Sequence, residues 1–196
     1  LWYMDEEDEN HNPTGRRVTT NDYGSADYYY VNKSSLPKVY GGFNTSLSWK
    51  GFDLSAIFAY SIGGYIYNRD ITMILHNGSL EGRDWSTEIL KRWTPDNRYT
   101  DVPALSTTSN NWNSASTRFL QNNSYMRLKN LTLSYNLPKQ WISKLSLSSV
   151  QVYVQGDNLF TIHRNQGLDP EQGITGITYY RYPAMRTISG GINVSF

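Results

Sequence analysis

From residue 40 onward, apolar and polar positions alternate. Phe43, Thr45, Leu47 and Trp49 share one parity, and Asn44, Ser46 and Ser48 the other. A period of two over this length predicts a β-strand with one apolar face. Lys50-Gly51 reads as a tight turn. A second strand follows, with Phe52, Leu54, Ala56, Phe58, Tyr60 and Ile62 on one side. Asp53, Ser55, Ser61 and Gly63 lie on the other, where Ile57 and Ala59 blur the contrast. A third strand is expected over 125–135 and a fourth over about 150–161, where Val150, Val152 and Val154 alternate with Gln151, Tyr153 and Gln155. The last runs over about 183–196, with Ile188, Gly190, Ile192, Val194 and Phe196 opposite Thr187, Ser189, Gly191, Asn193 and Ser195. Residues 1–39 read as mostly loop. Residues 69–121 form a long connection in which 71–75 and 85–93 have the character of short helices.

The third strand does not alternate cleanly. In one frame Arg127 and Lys129 share a face with Leu131, Leu133 and Tyr135. If that face meets lipid, each basic residue costs roughly 2–4 kcal/mol near the midplane. Placing Met126 and Leu128 outward, then slipping one residue near Lys129-Asn130, avoids the penalty. This predicts a β-bulge at that point.

The connections alternate in length: short at 50–51, long at 69–121, medium at 136–148, long at 162–181. Transmembrane barrels have short periplasmic turns and long extracellular loops, so the alternation orients the chain with Phe196 at the periplasmic side. Trp49, Phe52, Tyr135 and Phe196 then fall where an aromatic girdle belongs. Ten steps from Phe52 to Ile62 at ~3.3 Å make about 33 Å, which a tilt of roughly 45° reduces to about 23 Å, near the apolar band of about 25 Å. Five strands cannot close a barrel, because open edges are untenable in lipid. The fold class expected is therefore all-β: an antiparallel transmembrane β-barrel segment of about five strands, carrying long extracellular loops, with the remaining strands in sequence beyond this chain.

Composition sharpens this picture. Only 38% of residues are hydrophobic, yet 14% are aromatic and 16 are Tyr, a combination that lipid-facing strands with aromatic girdles account for. No run of roughly 18 apolar residues offers a transmembrane helix. An acidic run begins at Asp5, and no signal peptide is legible. With no cysteine, disulfide frameworks and Cys-based metal sites are excluded. A net charge of +1 leaves no footprint for nucleic acid.

Several stretches carry a family likeness. Gly51-Phe52-Asp53-Leu54-Ser55 through Gly63-Gly64-Tyr65-Ile66-Tyr67-Asn68, Arg92-Trp93-Thr94-Pro95-Asp96-Asn97 and Asp101-Val102-Pro103 resemble signatures of SusC/RagA-like TonB-dependent outer-membrane transporters. So do the run from Tyr125 to Tyr135 closed by Leu137-Pro138, Gly156-Asp157-Asn158-Leu159-Phe160-Thr161, and the end from Tyr182-Pro183 to Phe196. Together they cover about residues 36–196; residues 1–35 match only loosely. The resemblance implies the C-terminal part of a plugged barrel of about 22 strands in the outer membrane of a Bacteroidota-type bacterium. It implies TonB drive through a missing N-terminal part, a SusD-like lipoprotein lid, and import of oligosaccharides or peptides. On this reading residues 1–39 are an extracellular loop region, or in part the end of a preceding strand, with 40–196 the barrel strands and loops. By resemblance to outer-membrane proteins generally, Phe196 is the signal read by the barrel-assembly machinery. The rival readings are a TonB-dependent siderophore receptor, which would lack the lid, and a soluble carbohydrate-binding β-sandwich.

Candidate contacts lie in the long loops. Trp85, Trp93, Trp112, Tyr179 and Tyr180 offer rings that could stack on a sugar or grip a peptide, with Arg118, Arg164 and Arg181 as polar anchors. For any single one of these residues, packing the loops together or against the lid is the commoner role. Arg127, Lys129, Gln151, Tyr153 and Gln155 are expected to face the lumen or the plug. His11, His76 and His163 are not at metal-ligand spacing and read as surface residues. The acidic run at positions 5–9 lacks the spacing of an EF-hand and reads as solvated charge rather than a calcium site. Asp96 and Asp101 likewise read as solvated loop carboxylates. No catalytic grouping, metal site or cofactor is expected, and the chain reads as non-enzymatic.

Overall fold

The computed structural model describes residues 2–78, 80–106, 113–165, 167–171 and 173–196. In chain order the strands are β1 (Trp2–Glu7), β2 (Pro13–Thr20), β3 (Val39–Trp49), β4 (Phe52–Ile62), β5 (Tyr65–Asn68), β6 (Leu120–Asn122), β7 (Tyr125–Asn136), β8 (Ser149–His163), β9 (Ile177–Thr178) and β10 (Thr187–Ser195). Two short helices, α1 (Arg69–Ile74) and α2 (Lys139–Ile142), interrupt them. No helix among the described residues is long and apolar enough to cross a membrane, which says nothing about crossing with strands. The chain divides into two compact units.

One unit comprises Ser34–Ile66, Gln121–Gly176 and Arg181–Phe196. It is built on a five-stranded sheet of order β10-β8-β7-β4-β3, antiparallel throughout. β3 and β4 meet at Lys50 (φ 47) and Gly51 (φ 87). Positive φ at both centres is the turn whose twist matches the flanking strands. Phe43 faces Phe58, Leu47 faces Leu54 and Trp49 faces Phe52. The apolar parity continues onto β7, where Phe52 pairs with Tyr135, Leu54 with Leu133 and Phe58 with Leu128.

The bulge lies where charge avoidance placed it. Ile57 pairs with Asn130 but Phe58 with Leu128, so Lys129 is the extra residue of β7. Across the next seam Asn130 pairs with Asp157 and Leu128 with Phe160, so β8 answers with Asn158 and Leu159. Asn158 takes a φ of 52, a left-handed conformation that Asn tolerates better than most residues. This slip puts Met126 and Leu128 on the same face as Leu131 and Leu133.

That face is uncovered. Leu47 is 67%, Ile188 72% and Ile192 65% exposed, alongside exposed Phe43, Leu133, Val154 and Phe160. These side chains stay open to solvent instead of lying under a second layer. Soluble monomers rarely leave a contiguous apolar patch of more than a few hundred Å² open to water, so the sandwich reading loses its second layer. The opposite face is a polar ladder. Asn136 donates to Asp53 at 2.7 Å, Asn130 to Asp157 at 2.8 Å, and Gln151 to Ser134 at 3.2 Å. Cross-strand pairs of this kind hold a sheet together without an apolar layer.

The last strand begins at Thr187 rather than near 183. Pro183 has no N–H to donate, and the Ala184 amide goes instead to Asp169 at 2.6 Å.

The other unit comprises Leu1–Lys33, Tyr67–Leu120 and Ile177–Tyr180. Within residues 1–39, read from sequence as mostly loop, β1 and β2 form an antiparallel hairpin. Its strands carry charge that resembles a solvated loop, and cross-strand polar pairs offset it: Asp5 faces Arg17, and Thr14 donates to Glu6 at 2.7 Å. The helix expected over 71–75 is α1, capped by Asn68, whose side chain accepts from the Ile71 amide at 3.1 Å. The one expected over 85–93 is a shorter 3₁₀ turn, Thr87–Lys91. Ile89, Val102 and Phe119 are buried in this unit.

Candidate functional site

On the polar face of the sheet, Arg127 and Lys129 project toward the segment that follows β8. Arg127 is only 3% exposed. Its guanidinium donates to Asp169, to Glu171 at 2.9 Å and to the Thr161 hydroxyl at 2.9 Å. Lys129 reaches the same Glu171 at 2.6 Å. Burial alone would raise the Asp169 carboxyl. The Ala184 and Glu171 amides, with Arg127, outweigh that and hold it below the usual carboxylate range. Two cations two residues apart thus meet two carboxylates two residues apart. The polar face of the sheet gains a folded segment, fastened by charge.

That segment roofs a cavity of about 300 Å³. Tyr40, Tyr65, Tyr125, Asn123, Pro170 and Ile174 are among its lining. Asn123 fixes the roof by donating to the Pro170 carbonyl at 2.8 Å, and Ser35 donates to the Ile174 carbonyl at 2.8 Å. Rings with a few polar anchors are the usual make-up of a small-ligand pocket, although this volume is at the lower end of the range.

In the other unit, Tyr179 and Tyr180 stand with ring centroids 4.2 Å apart. Arg69 lies over the Tyr179 ring at 4.8 Å, and Arg83 donates to the Tyr180 hydroxyl at 3.2 Å. Trp85 is engaged differently: its indole N–H donates to His76 Nδ1 at 3.0 Å. The Gly78 and Leu80 amides converge on the same nitrogen at 3.3 Å. His76 is 1% exposed. The expectation of a surface histidine is therefore wrong at this position. It is an internal acceptor that organises its own loop.

No protein-family model matches the chain. TonB-dependent receptor P3 of Formosa agariphila is 34% identical over 166 residues, covering 79% of this chain and 16% of the relative. SusC of Bacteroides thetaiotaomicron, a TonB-dependent receptor, is 28% identical over 198 residues, covering 99% of this chain and 19% of the relative. Among solved structures, the RagAB peptide importer in its closed-closed state superposes with a TM-score of 0.80 at 34% identity, covering the whole of this chain and 21% of that one. The open-open state of the same importer gives 0.81. The chain belongs to the SusC/RagA-like TonB-dependent transporters.

It matches a C-terminal stretch of these proteins and spans less than a fifth of the curated relatives' length. Of the loop residues singled out in this SusC/RagA-like chain, the structure brings Tyr179 and Tyr180 together. Trp93 remains exposed and is held through its backbone amide to Val102. Arg118 lies 3.9 Å from Asp101; burial lowers its guanidinium from the ordinary value and Asp101 pulls it back. Arg164 and Arg181 are exposed, and the Arg181 guanidinium lies beside Gly173. Trp112 lies outside the described residues. Gln151 pairs with Asn193 at 3.2 Å and Gln155 with Asp157 at 3.3 Å. Sequence reasoning missed Asp169 and Glu171. Their spacing matches that of Arg127 and Lys129, which was the available signal. Arg69 and Arg83 gave none, being far in sequence from the rings they meet.

Proposed function

We propose that this chain forms part of the wall of a closed, plugged β-barrel in the bacterial outer membrane, and that the whole protein imports oligosaccharides or peptides. TonB would drive it through a part outside this chain, with a SusD-like lipoprotein as lid. Phe196 would stand at the periplasmic side as the barrel-assembly signal. Residues 1–39 would lie with the extracellular loops, and 40–196 would supply strands and the loops between them. One observation carries the reading. The five-stranded sheet turns one predominantly apolar, largely exposed face away from one predominantly polar face, which suits hydrocarbon on one side and a wet lumen on the other. The open edges at β3 and β10 need further strands before such a sheet is tolerable in lipid. The RagAB structures are of a peptide importer, which supports peptides as one cargo class. Arg127, Lys129, Gln151, Tyr153 and Gln155 would line the lumen, while Trp85, Trp93, Trp112, Tyr179, Tyr180, Arg118, Arg164 and Arg181 are the loop positions for cargo or lid contact. The related receptors and importers support a role without catalysis.

The test uses the tagged full-length protein in its own host. Recovery from the outer-membrane fraction only with detergent, together with a lipoprotein and with uptake of labelled oligosaccharide or peptide that stops when TonB is deleted, is the expected result. Recovery from lysate without detergent would overturn the barrel. Detergent-dependent recovery with no lipoprotein would favour a siderophore receptor.

A further inference from the structure

Two arginines of the Tyr67–Leu120 segment stand on tyrosines instead of carboxylates. Arg69 covers the Tyr179 ring, and Arg83 is bonded to the Tyr180 hydroxyl. Both are exposed, and neither joins an ion pair among the described residues, where the paired cations are His11, Lys91, Arg118, Arg127 and Lys129. Asp70 is turned to the backbone, where it accepts the Tyr180 amide at 3.0 Å. Two guanidiniums thus stand against the tyrosines with no ion pair to either among the described residues.

The backbone supplies an independent sign. Tyr180 has a φ of 48, a conformation that is a genuine outlier for a bulky residue. Strain of this kind persists only where surrounding bonds over-determine it, and it collects at ligand clamps. Here the Asp70 bond holds it, and the result is a pair of exposed rings, 46% and 64% open, fixed beside two cations.

We propose that Tyr179, Tyr180, Arg69 and Arg83 form a recognition surface for a carboxylate-bearing ligand. A guanidinium stacked or hydrogen-bonded at one side keeps N–H groups free in its plane, in the fork that matches a carboxylate. The rings offer flat faces to the apolar side of a sugar or side chain. A neutral ligand would gain the stacking but leave both cations unmatched. The surface thus selects acidic over neutral cargo. This rests on the importer reading and narrows its substrate class.

The purified full-length transporter is titrated calorimetrically with two matched probe pairs: an oligouronate with its methyl ester, and a Glu-rich peptide with its Gln counterpart. In at least one pair the acid is expected to bind ten-fold or more tighter, and the responding pair identifies the source of the carboxylate. Arg69→Gln with Arg83→Gln should remove the preference, bringing the acid's affinity down to that of its neutral partner, while Arg69→Lys with Arg83→Lys restores part of it. Equal affinity for acid and neutral forms in both pairs, or a preference untouched by the Gln variant, overturns the surface and leaves the importer reading standing. Loss of acidic and neutral binding together, unrescued by lysine, overturns it as well. Should none of the four probes bind and no TonB-dependent uptake occur, the importer reading falls and takes this surface with it.

Discussion

Arg127 and Asp169 are joined with less than a tenth of either side chain in solvent. Removing one member of such a pair strands a buried charge, at about 3–5 kcal/mol, whereas neutralising both is often tolerated. Arg127→Met should therefore expose residues 164–176 to protease in the folded full-length protein. Arg127→Met combined with Asp169→Asn should restore part of the protection, since no charge is then stranded and the Asn carbonyl still accepts from one of the two amides that Asp169 serves, Glu171 or Ala184. If single and double variants are cut at the same rate, the pair does not hold the segment.

The same carboxylate predicts a pH response. Its folded pKa is depressed, so its contribution is complete above the unfolded value of about 3.9. It is lost only as pH falls through the lower folded value. Cleavage within 164–176 should stay flat from about pH 7 to about pH 4 and rise below that. In Asp169→Asn the acid rise should vanish. A rise beginning near neutrality would assign the latch to another group.

Changes in β7 separate a charge effect from a register effect. Lys129→Ala loses the bonds to Glu171, a partly exposed pair worth at most about 1 kcal/mol. Deleting Lys129 itself removes only the extra residue and leaves Leu128 and Asn130 on their own faces. An alanine inserted between Leu131 and Thr132 is another matter, because a one-residue slip turns every side chain on one flank to the other face. Leu133 and Tyr135 would then face with Arg127. Heat-modifiable mobility of the barrel on gels should be retained in Lys129→Ala and lost in the insertion. Normal folding of the insertion would show that the faces do not fix the register there.

How far these features could be read in advance depends on what kind of force makes each one. The strand faces and the bulge follow from local alternation plus the penalty for a cation in hydrocarbon, so Phe43, Leu128 and Lys129 declared their sides. Features made by contacts distant in sequence did not. His76 looks like any loop histidine until Trp85 and two amides close on it. The β1–β2 hairpin is held by polar pairs that leave no apolar period. Tyr179 and Tyr180 stood out as rings, but Arg69 and Arg83, the residues that give them a charge preference, become visible only once the chain has folded back.

The whole reading turns on which side of the sheet meets lipid, and two neighbouring residues test it. Phe43 lies on the apolar face midway along β3, stacked on Phe58 at 4.7 Å between centroids; Asn44 points the other way, opposite Ile57. A cation on a lipid-facing strand near the midplane costs about 2–4 kcal/mol, while surface substitutions in a wet environment usually stay within about 0.5 kcal/mol. Phe43→Arg should therefore lower stability of the full-length barrel against urea in bilayers by that larger amount, and Asn44→Arg should scarcely change it. Phe43→Gln isolates the lost ring contact, about 0.5–1.5 kcal/mol, and the remainder of the arginine effect is the charge in hydrocarbon. In a water-facing sheet the excess of Arg over Gln at 43 would disappear, because an exposed cation is then fully hydrated. A difference near zero between those two variants would remove the membrane from the picture, and with it the pore.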